Sequence, residues 1–238
     1  MSHVLITGAS SGIGKQLALD YAADGWKVTA CGREHARLEA LNMANPAIDT
    51  LSFDMTDLTL ARQALAWIQA DLIILCAGTC EYLDNGVVDA EKVTRVMNTN
   101  VIGPINCLDA LLPGLQTGAR VVLVGSTASL VPLPRAEAYG ASKAALAYFA
   151  RSLALDLAPR GIHVSFVMPG FVKTPLTERN DFPMPMMVSA EKASQYIRDG
   201  LARQASEIAF PPLFAWLLKT VTLLPLAWQK RLTQRLVR

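Results

Sequence analysis

The helical stretch EAYGASKAALAYF, residues Glu137 to Phe149, places Tyr139 and Lys143 four residues apart in an otherwise small and apolar setting. Side chains at positions i and i+4 share one face of a helix, with Cβ atoms about 6 Å apart. An ammonium group beside a phenol stabilises the phenolate and lowers the pKa of the phenol from its usual value of about 10. The pair could therefore transfer a proton. The alternative is a surface tyrosine beside a solvated lysine.

A glycine-rich turn, TGASSGIG from Thr7 to Gly14, follows the first apolar run and precedes a predicted helix. Glycines at such a turn let the backbone approach a pyrophosphate, and the N-terminus of the next helix offers N–H groups to the anion. The spacing T-G-x-x-x-G-x-G differs from the G-x-G-x-x-G fingerprint. A purely structural turn is the alternative, but its position between strand and helix favours a dinucleotide-binding site.

The segment CGRE, residues 31–34, ends the second apolar run. An NAD-binding enzyme would usually place a carboxylate there, on the ribose 2′-hydroxyl. This chain has Arg33 instead, with Gly32 leaving room beside it, and a guanidinium group suits a 2′-phosphate dianion. The pattern favours NADP(H) over NAD(H). The alternative is a solvated arginine, with Glu34 as a poor substitute for the carboxylate.

The elements that must position these residues alternate along the chain. Short apolar runs predict strands at 3–7, 27–31, 49–53, 71–76, 119–125 and 162–170, and helical spacing occurs at about 12–24, 34–44, 57–69, 90–114 and 136–159. Strands that are apolar almost throughout indicate a sheet covered on both faces and joined by right-handed crossovers. We predict an α/β fold with one doubly wound parallel sheet over 1–210 and an apolar, basic-ended helical tail over 211–238.

Composition excludes several classes of protein. Hydrophobic residues make up 52% of the 238 residues and charged residues 18%, which is typical of a globular chain, and a net charge of +2 is too small to indicate nucleic-acid binding. Four cysteines without C-x-x-C spacing indicate free thiols in a reducing compartment, and three scattered histidines offer no metal site. Because HVLITG begins a strand almost at once, we expect no signal peptide and a cytoplasmic location.

With these motifs in order, the chain resembles the short-chain dehydrogenase/reductase family in its single-domain, Rossmann-like branch, from about Val4 to Phe210. The glycine turn is similar to the family's cofactor loop, FDMTD to its adenine-contacting segment, and MPGFVKT (168–174) to its nicotinamide segment. CAG (76–78) stands where the family has N-A-G, and Cys76 in place of asparagine implies altered local hydrogen bonding. The resemblance implies cofactor contacts from Gly8, Ser10, Ser11, Gly12, Ile13, Gly14, Arg33, Asp54, Met55, Ala77, Gly78, Tyr139, Lys143, Pro169, Gly170, Val172 and Thr174.

The same resemblance implies four catalytic residues. Ser126 stands thirteen residues before Tyr139, the family's usual separation, and MNTNVIG places Asn100 at the family's catalytic asparagine. It implies that Tyr139 is the general acid or base and that Ser126 polarises the substrate oxygen. Lys143 would hold the nicotinamide ribose and lower the pKa of Tyr139, and Asn100 would position a water that relays protons to Lys143. Read without the resemblance, Ser126 is a strand-end serine and Asn100 a polar residue that braces a helix kink.

The substrate side is predicted to follow Gly170. FPMPMM, residues 182–187, combines prolines, methionines and an aromatic residue in a segment that the family uses as a lid. Because methionine side chains adapt to varied apolar shapes, the segment favours a lipophilic substrate. The alternative is a loop that packs on its own core or on a neighbouring subunit.

The tail is unusually apolar. Residues 210–228 are mostly apolar but are interrupted by Lys219 and Pro225, and WQKRLTQRLVR follows, with Trp228, Leu232 and Leu236 on one face. Its basic residues are Lys230, Arg231, Arg235 and Arg238. A basic amphipathic helix with an aromatic anchor could lie on an anionic membrane surface. The alternatives are packing at a subunit interface or over the substrate pocket, and a membrane span, which Lys219 disfavours.

We therefore predict an NADP(H)-dependent oxidoreductase that transfers a hydride between nicotinamide and a small-molecule carbonyl or secondary alcohol. The alternative is a catalytically silent, cofactor-binding regulatory or membrane-associated scaffold protein, which would not need Ser126, Tyr139, Lys143 and Asn100 together. A third alternative is an isomerase or dehydratase that uses transient hydride transfer. The resemblance also implies a homo-oligomer.

Overall fold

The computed structural model describes residues 1–234, which include seven parallel strands in one sheet. The strand order is β3-β2-β1-β4-β5-β6-β7. Their bounds are β1 His3–Thr7, β2 Lys27–Gly32, β3 Ile48–Ser52, β4 Leu72–Leu75, β5 Arg120–Val124, β6 His163–Pro169 and β7 Glu207–Phe210. The predicted doubly wound parallel sheet is confirmed, and six of its strands lie where the apolar runs placed them.

Helices cover both faces of the sheet. Their bounds are α1 Gly12–Ala23, α2 His35–Ala44, α3 Leu58–Leu65, α4 Ala90–Met97, α5 Gly103–Leu111, α6 Glu137–Leu157, α7 Ala190–Ala202, α8 Pro212–Thr222 and α9 Leu226–Thr233. Several helices begin at a side-chain cap: Asp57 accepts hydrogen bonds from Thr59 N and Leu60 N before α3. Asp89 and Ser189 cap α4 and α7 in the same way.

Alternate residues of each central strand enter two separate cores. On β1, Val4 and Ile6 belong to one core, together with residues of α1, α2 and α7, whereas Leu5 belongs to the other, with residues of α5 and α6. Because a strand points successive side chains to opposite faces, two helical layers require strands that are apolar at every position. This is why the runs HVLIT and DLIIL lack polar alternation.

The single helix predicted over 90–114 is wrong, because a π-helical turn at Asn98–Ile102 separates α4 from α5. Pro104 has no N–H group, so the carbonyl of Asn100, four residues earlier, loses its usual α-helical donor. Gly103 N donates instead to Asn98 O, five residues back. The irregularity lies at the residue that the sequence assigns to the site.

The strand β7 was not predicted, because EIAF is only four residues long. It pairs with β6 from Phe166↔Glu207 to Pro169↔Phe210 and forms the edge of the sheet. Phe210 is fully buried there. Short edge strands carry little periodic signal in a sequence.

The tail begins as part of this fold. Ala215 and Leu218 of α8 are buried, and Lys219 forms an ion pair with Glu207 of β7 at 3.1 Å. The helices α8 and α9 are separated at Leu223–Pro225, and within residues 1–234 no helix is long and apolar enough to cross a bilayer. Arg235, Leu236 and Arg238 lie outside the described residues. The boundary between 210 and 211 as a domain limit stays a prediction.

Candidate active site

The carboxyl ends of β1 and β4 adjoin a crevice with a cavity volume of about 360 Å³. The chain reverses its direction across the sheet between these two strands, and such switch points bind ligands in open parallel sheets. All the predicted site residues line this crevice except Asn100: Gly8, Ser10, Ser11, Gly12, Ile13, Gly14, Arg33, Asp54, Met55, Ala77, Gly78, Ser126, Tyr139, Lys143, Pro169, Gly170, Val172 and Thr174.

The glycine turn forms a cradle that larger side chains would fill. Gly8 has a φ of +69°, and a Cβ there would lie 2.7 Å from Ala77 Cα. A Cβ on Gly14 would overlap the carbonyl oxygen of Gly8. The side chain of Ser11, at the N-cap of α1, makes no capping hydrogen bond, so the first N–H groups of α1 remain available to an anion. The loop therefore fits a pyrophosphate.

The far end of the crevice carries Arg33, which directly follows β2. Its Nη1 lies 4.0 Å from Asp54 Oδ2, and its side chain is 66% exposed. Asp54 Oδ1 accepts hydrogen bonds from Thr56 N at 2.9 Å and Thr56 Oγ1 at 2.8 Å, which leaves Oδ2 for another partner. Glu34, the substitute carboxylate, is paired with Arg37 Nε at 2.9 Å. This end therefore presents a guanidinium group rather than a free carboxylate.

Sequence reasoning missed several polar residues of the crevice, among them Arg37, Thr99, Thr177 and Arg179. Arg37 lies in the first turn of α2, whereas Arg33 precedes that helix, so no helical spacing relates the two residues in the sequence. Thr177 Oγ1 donates to Val172 O at 2.6 Å and accepts from Thr174 N at 3.0 Å. These bonds hold the segment after Gly170 against the crevice.

The helix α6 brings Tyr139 and Lys143 to the opposite end of the crevice. Lys143 is 4% exposed, its Nζ lies 5.7 Å from the centre of the Tyr139 ring, and it donates a hydrogen bond to Val124 O at 3.1 Å. Ser126 follows β5, and its Oγ accepts a hydrogen bond from Ala128 N at 3.1 Å. Three side chains that can donate protons or hydrogen bonds thus line one crevice with the glycine turn.

Asn100 lies behind this group and is fully buried. Its Oδ1 accepts from Thr79 N at 2.8 Å, and its Nδ2 donates to Thr79 O and Ser142 Oγ, each at 2.9 Å. Ser142 Oγ in turn donates to Tyr139 O at 2.7 Å. Both amide hydrogens are therefore engaged, and the side chain joins the loop after β4 to α6. A water relay at this residue would use its carbonyl, which Pro104 leaves without the usual donor.

Burial controls the protonation of the pair on α6. It lowers the pKa of Lys143 to about 8, because the charged ammonium is desolvated. It raises the pKa of Tyr139 to about 12, against the opposing hydrogen bond of Ser126. The sequence predicted a lowered pKa for Tyr139. The structure gives the opposite direction, because desolvation of the phenolate outweighs the hydrogen bond from Ser126, and the neighbouring Cys80 also raises the pKa of Tyr139.

Cys76 occupies the place where the resemblance implies asparagine. Its backbone N–H donates to Thr7 Oγ1 at 3.1 Å, and Ala77 N donates to the same oxygen at 3.2 Å. Burial raises the pKa of the Cys76 thiol to about 11, although Lys143 acts in the opposite direction. The residue is therefore a neutral thiol beside the buried lysine, and Thr7 connects the ends of β1 and β4.

Four aromatic side chains, Tyr82, Phe182, Phe171 and Phe214, form a connected group that we call the aromatic row. Successive ring centres lie 5.7, 6.2 and 5.8 Å apart. Both Cys80 and Tyr139 raise the pKa of Tyr82, after the larger effect of burial, so the row starts in the electrostatic neighbourhood of Tyr139. From there it reaches α8. The sequence had indicated only Phe182.

Two further contacts hold the loops on either side of the row together. Tyr82 Oη donates to Asn180 Oδ1 at 2.8 Å. Arg135, whose guanidinium lies 5.1 Å above the Tyr82 ring, binds Asp84 and Asp181 at 2.7 Å each. The loop after β4 and the loop before Val188 are therefore joined to each other. No local sequence pattern indicates this, because the partners are separated by 46 to 98 residues.

Comparisons with known proteins agree with this geometry. The family model described as short chain dehydrogenase matches residues 2–182. An uncharacterized oxidoreductase of Myxococcus xanthus is 37% identical over 218 residues, which cover 87% of this chain and 86% of that protein. The NADPH-dependent 1-acyldihydroxyacetone phosphate reductase of Schizosaccharomyces pombe is 33% identical over 199 residues, 79% of this chain and 64% of that protein.

A solved short-chain dehydrogenase from Streptomyces avermitilis superposes with a TM-score of 0.84 at 25% identity and covers 98% of this chain and 95% of its own. The matches extend over the glycine turn, the sheet and α6, which carry the site described above. The chain therefore belongs to the short-chain dehydrogenase family, and it is an oxidoreductase of the class that acts on alcohol and carbonyl groups.

Proposed function

We propose that the protein is an NADP(H)-dependent oxidoreductase that interconverts a carbonyl and a secondary alcohol, with Tyr139 as its general acid and base. The observation that carries this proposal is the meeting of Ser126, Tyr139 and Lys143 with the glycine turn in one crevice. A silent cofactor-binding scaffold would need the cradle but not a buried lysine beside a tyrosine and a serine.

A bound nicotinamide cofactor would supply or accept the hydride. In the direction of reduction, Tyr139 donates its phenolic proton to the oxygen that becomes the alcohol. With a pKa of about 12, this phenol is protonated at neutral pH and ready to act as an acid. Ser126 donates a hydrogen bond to the same oxygen and stabilises the negative charge that develops there. Lys143 binds the nicotinamide ribose, and its ammonium stabilises the tyrosinate left behind.

The charges at the far end of the crevice support NADP(H) over NAD(H). Arg33 is exposed and makes only a 4.0 Å contact with Asp54, so a 2′-phosphate could bind it at little cost. Glu34, which would repel that phosphate, is neutralised by Arg37. The yeast relative is an NADPH-dependent enzyme by name, which agrees with this choice.

The aromatic row supports a lipophilic substrate. Its rings extend from the electrostatic neighbourhood of Tyr139 to Phe214 on α8. Aromatic walls bind apolar groups through the area that they bury. Met186 and Met187, which belong to the predicted lid, are 44% and 45% exposed next to this region of the chain.

The assembly and location follow from other surfaces. Tyr148 and Leu155 lie seven residues apart on one face of α6, and each is 76% exposed. Two large exposed apolar side chains on one helical face favour contact with a second copy, so we propose a homo-oligomer formed through α6. The four cysteines are free thiols, which agrees with a cytoplasmic location. We further propose peripheral membrane contact through 211–238.

Removal of the Tyr139 hydroxyl tests the catalytic role. We expect Tyr139→Phe to abolish measurable carbonyl reduction, a fall of at least roughly 10²–10⁴-fold in kcat, because the proton donor is lost. The Kd for NADPH, measured by fluorescence titration, should change little. Tyr148→Phe on the exposed face of the same helix is the control and should retain full activity. Substantial turnover by Tyr139→Phe would refute the assignment.

Removal of the Arg33 guanidinium tests the cofactor preference. We expect Arg33→Ala to raise the Kd for NADPH roughly 10- to 100-fold, because a charge-assisted contact to the 2′-phosphate is lost, while the Kd for NADH stays unchanged. Arg62→Ala, which removes an exposed guanidinium paired with Asp109, is the control. Equal effects on both cofactors, or tighter binding of NADH by the wild type, would contradict the preference.

The buried ammonium predicts an unusual pH dependence of stability. The folded-state pKa of Lys143, about 8, lies below the unfolded value of about 10.4, so the unfolded chain binds more protons in this window. The free energy of unfolding of the wild type should therefore rise from pH 8 to pH 10 relative to that of Lys143→Met, by ~2 kcal/mol. Urea unfolding at several pH values measures the difference. Lys15→Met supplies the baseline for an exposed lysine, and a flat difference would mean that Lys143 titrates normally.

The proposed interface on α6 can be tested through the oligomeric state of the protein. We expect the double variant Tyr148→Glu/Leu155→Glu to sediment as a smaller species than the wild type, because it brings like charges together across a self-complementary interface. The variant Met43→Glu, at another exposed apolar position, should sediment like the wild type. An unchanged double variant would exclude this face as the interface.

A further inference from the structure

We infer that the outer surface of α8 and α9 rests on an anionic membrane and that the substrate, an amphiphile with a carbonyl on a long apolar chain, enters the crevice from the bilayer along the aromatic row. This inference rests on the proposed carbonyl chemistry and names the substrate class for the same site.

One face of α8 is docked on the sheet and the other is uncovered. Ala215 and Leu218 are buried, and Lys219 is held by Glu207, which also binds Arg151 at 2.9 Å. The exposed apolar residues of the two helices and their connection, which we call the tail face, are Leu213, Trp216, Leu217, Leu223, Leu224, Leu226, Trp228 and Leu232. Within it, Trp216 is 61% exposed, Trp228 59% and Leu223 84%. So much exposed apolar surface, next to a helix face that is docked on the sheet, indicates a contact surface.

Charge identifies the partner of the tail face. Residues 211–238 contain no acidic residue and five cationic ones, of which Lys219 is paired with Glu207 on the docked face; since the whole chain carries +2, residues 1–210 carry −3. Lys230 and Arg231 are exposed on α9 and form no ion pair within residues 1–234. A symmetric contact of the tail face with a second copy would bring two cationic surfaces together. Anionic lipid headgroups would instead attract them, while tryptophan and leucine side chains enter the interfacial region.

The tail face is continuous with the site. Phe214 lies on the same helix as Trp216, and its ring meets Phe171 in the aromatic row. Its Cδ1 is 3.0 Å from the position of a Cβ on Gly170, which itself lines the crevice. Val188, which follows Met186 and Met187, pairs with Val172 next to Phe171. The exposed methionines, α8 and the row thus form one apolar route from the surface towards Tyr139.

This route favours substrates that partition into the bilayer rather than into water. A molecule with a long apolar chain is concentrated in the bilayer and scarce in water, because each methylene group favours the apolar phase by about 0.8 kcal/mol. An entrance that faces the bilayer receives such a molecule directly. Its chain can lie along the aromatic row while the carbonyl reaches Tyr139 and Ser126.

Membrane contact is tested by flotation of the full-length protein with vesicles of phosphatidylcholine and phosphatidylglycerol. We expect the wild type to float with these vesicles and to remain at the bottom with pure phosphatidylcholine or in high salt. Trp216→Glu/Trp228→Glu should not float, whereas Trp67→Glu, at a position that is 87% exposed outside the tail, should float like the wild type. Flotation of the double tryptophan variant, or no flotation of the wild type, would overturn the inference.

Substrate entry is tested with methyl ketones of increasing chain length, presented in buffer when short and in the same vesicles when long. We expect the double tryptophan variant to lose at least about tenfold in kcat/KM on vesicle-borne ketones and to match the wild type on short ones. Equal loss on both, or on neither, would overturn the route. If no ketone of any length is reduced by the wild type, the proposed chemistry fails, and flotation alone decides membrane contact. A smaller sedimenting species for the double tryptophan variant would show that a second copy covers the tail face, against the inference.

Discussion

The desolvated ammonium of Lys143 is the constraint around which the crevice is arranged. A buried cation is tolerated only where polar groups compensate for lost water, and here Val124 O at the end of β5 is one of them. A Cβ at Gly78 would lie 3.3 Å from both Lys143 Nζ and Asn100 Oδ1, so a glycine leaves this space open beside the ammonium. The neighbouring thiol of Cys76 stays neutral. The lysine therefore keeps a charge that a bound ribose and a tyrosinate could use.

Tyr139 and Lys143 lie on the same helix, and they stand together at the crevice because α6 is joined to the loop after β4. The π-helical turn at Asn98–Ile102 accomplishes this, since it buries the Asn100 side chain where it reaches both Thr79 and Ser142. In an uninterrupted α-helix the residues after Asn98 would point in other directions around the helix axis. Pro104 disfavours such a helix because it lacks the N–H group that the α-helical hydrogen bond requires. A local backbone irregularity, encoded by one proline, therefore couples two elements that are 42 residues apart in sequence.

The parts of the molecule that depend on local spacing could be predicted from the sequence. Apolar runs gave six strands, and the turn TGASSGIG and the pair Tyr139/Lys143 lie in one crevice because parallel strands bring their carboxyl ends to one edge. The direction in which the pKa of Tyr139 is shifted could not be predicted, because desolvation of the phenol depends on which residues pack around the ring. The aromatic row and the bridge from Arg135 to Asp84 and Asp181 could not be predicted either, since they join distant loops without any period.

The helix α8 shows why a boundary drawn from composition alone is incomplete. The change at residue 210 from mixed to apolar sequence suggests a separate tail, yet Phe214 packs against Phe171 and Lys219 is paired with Glu207. A helix that is anchored on both sides of its docked face has little freedom to move independently of the sheet. Its uncovered face is therefore held in a fixed orientation relative to the crevice. A surface that binds this face therefore has one fixed orientation relative to the aromatic row. The packing of α8 on the sheet thus determines both where that surface binds and how a substrate reaches the crevice.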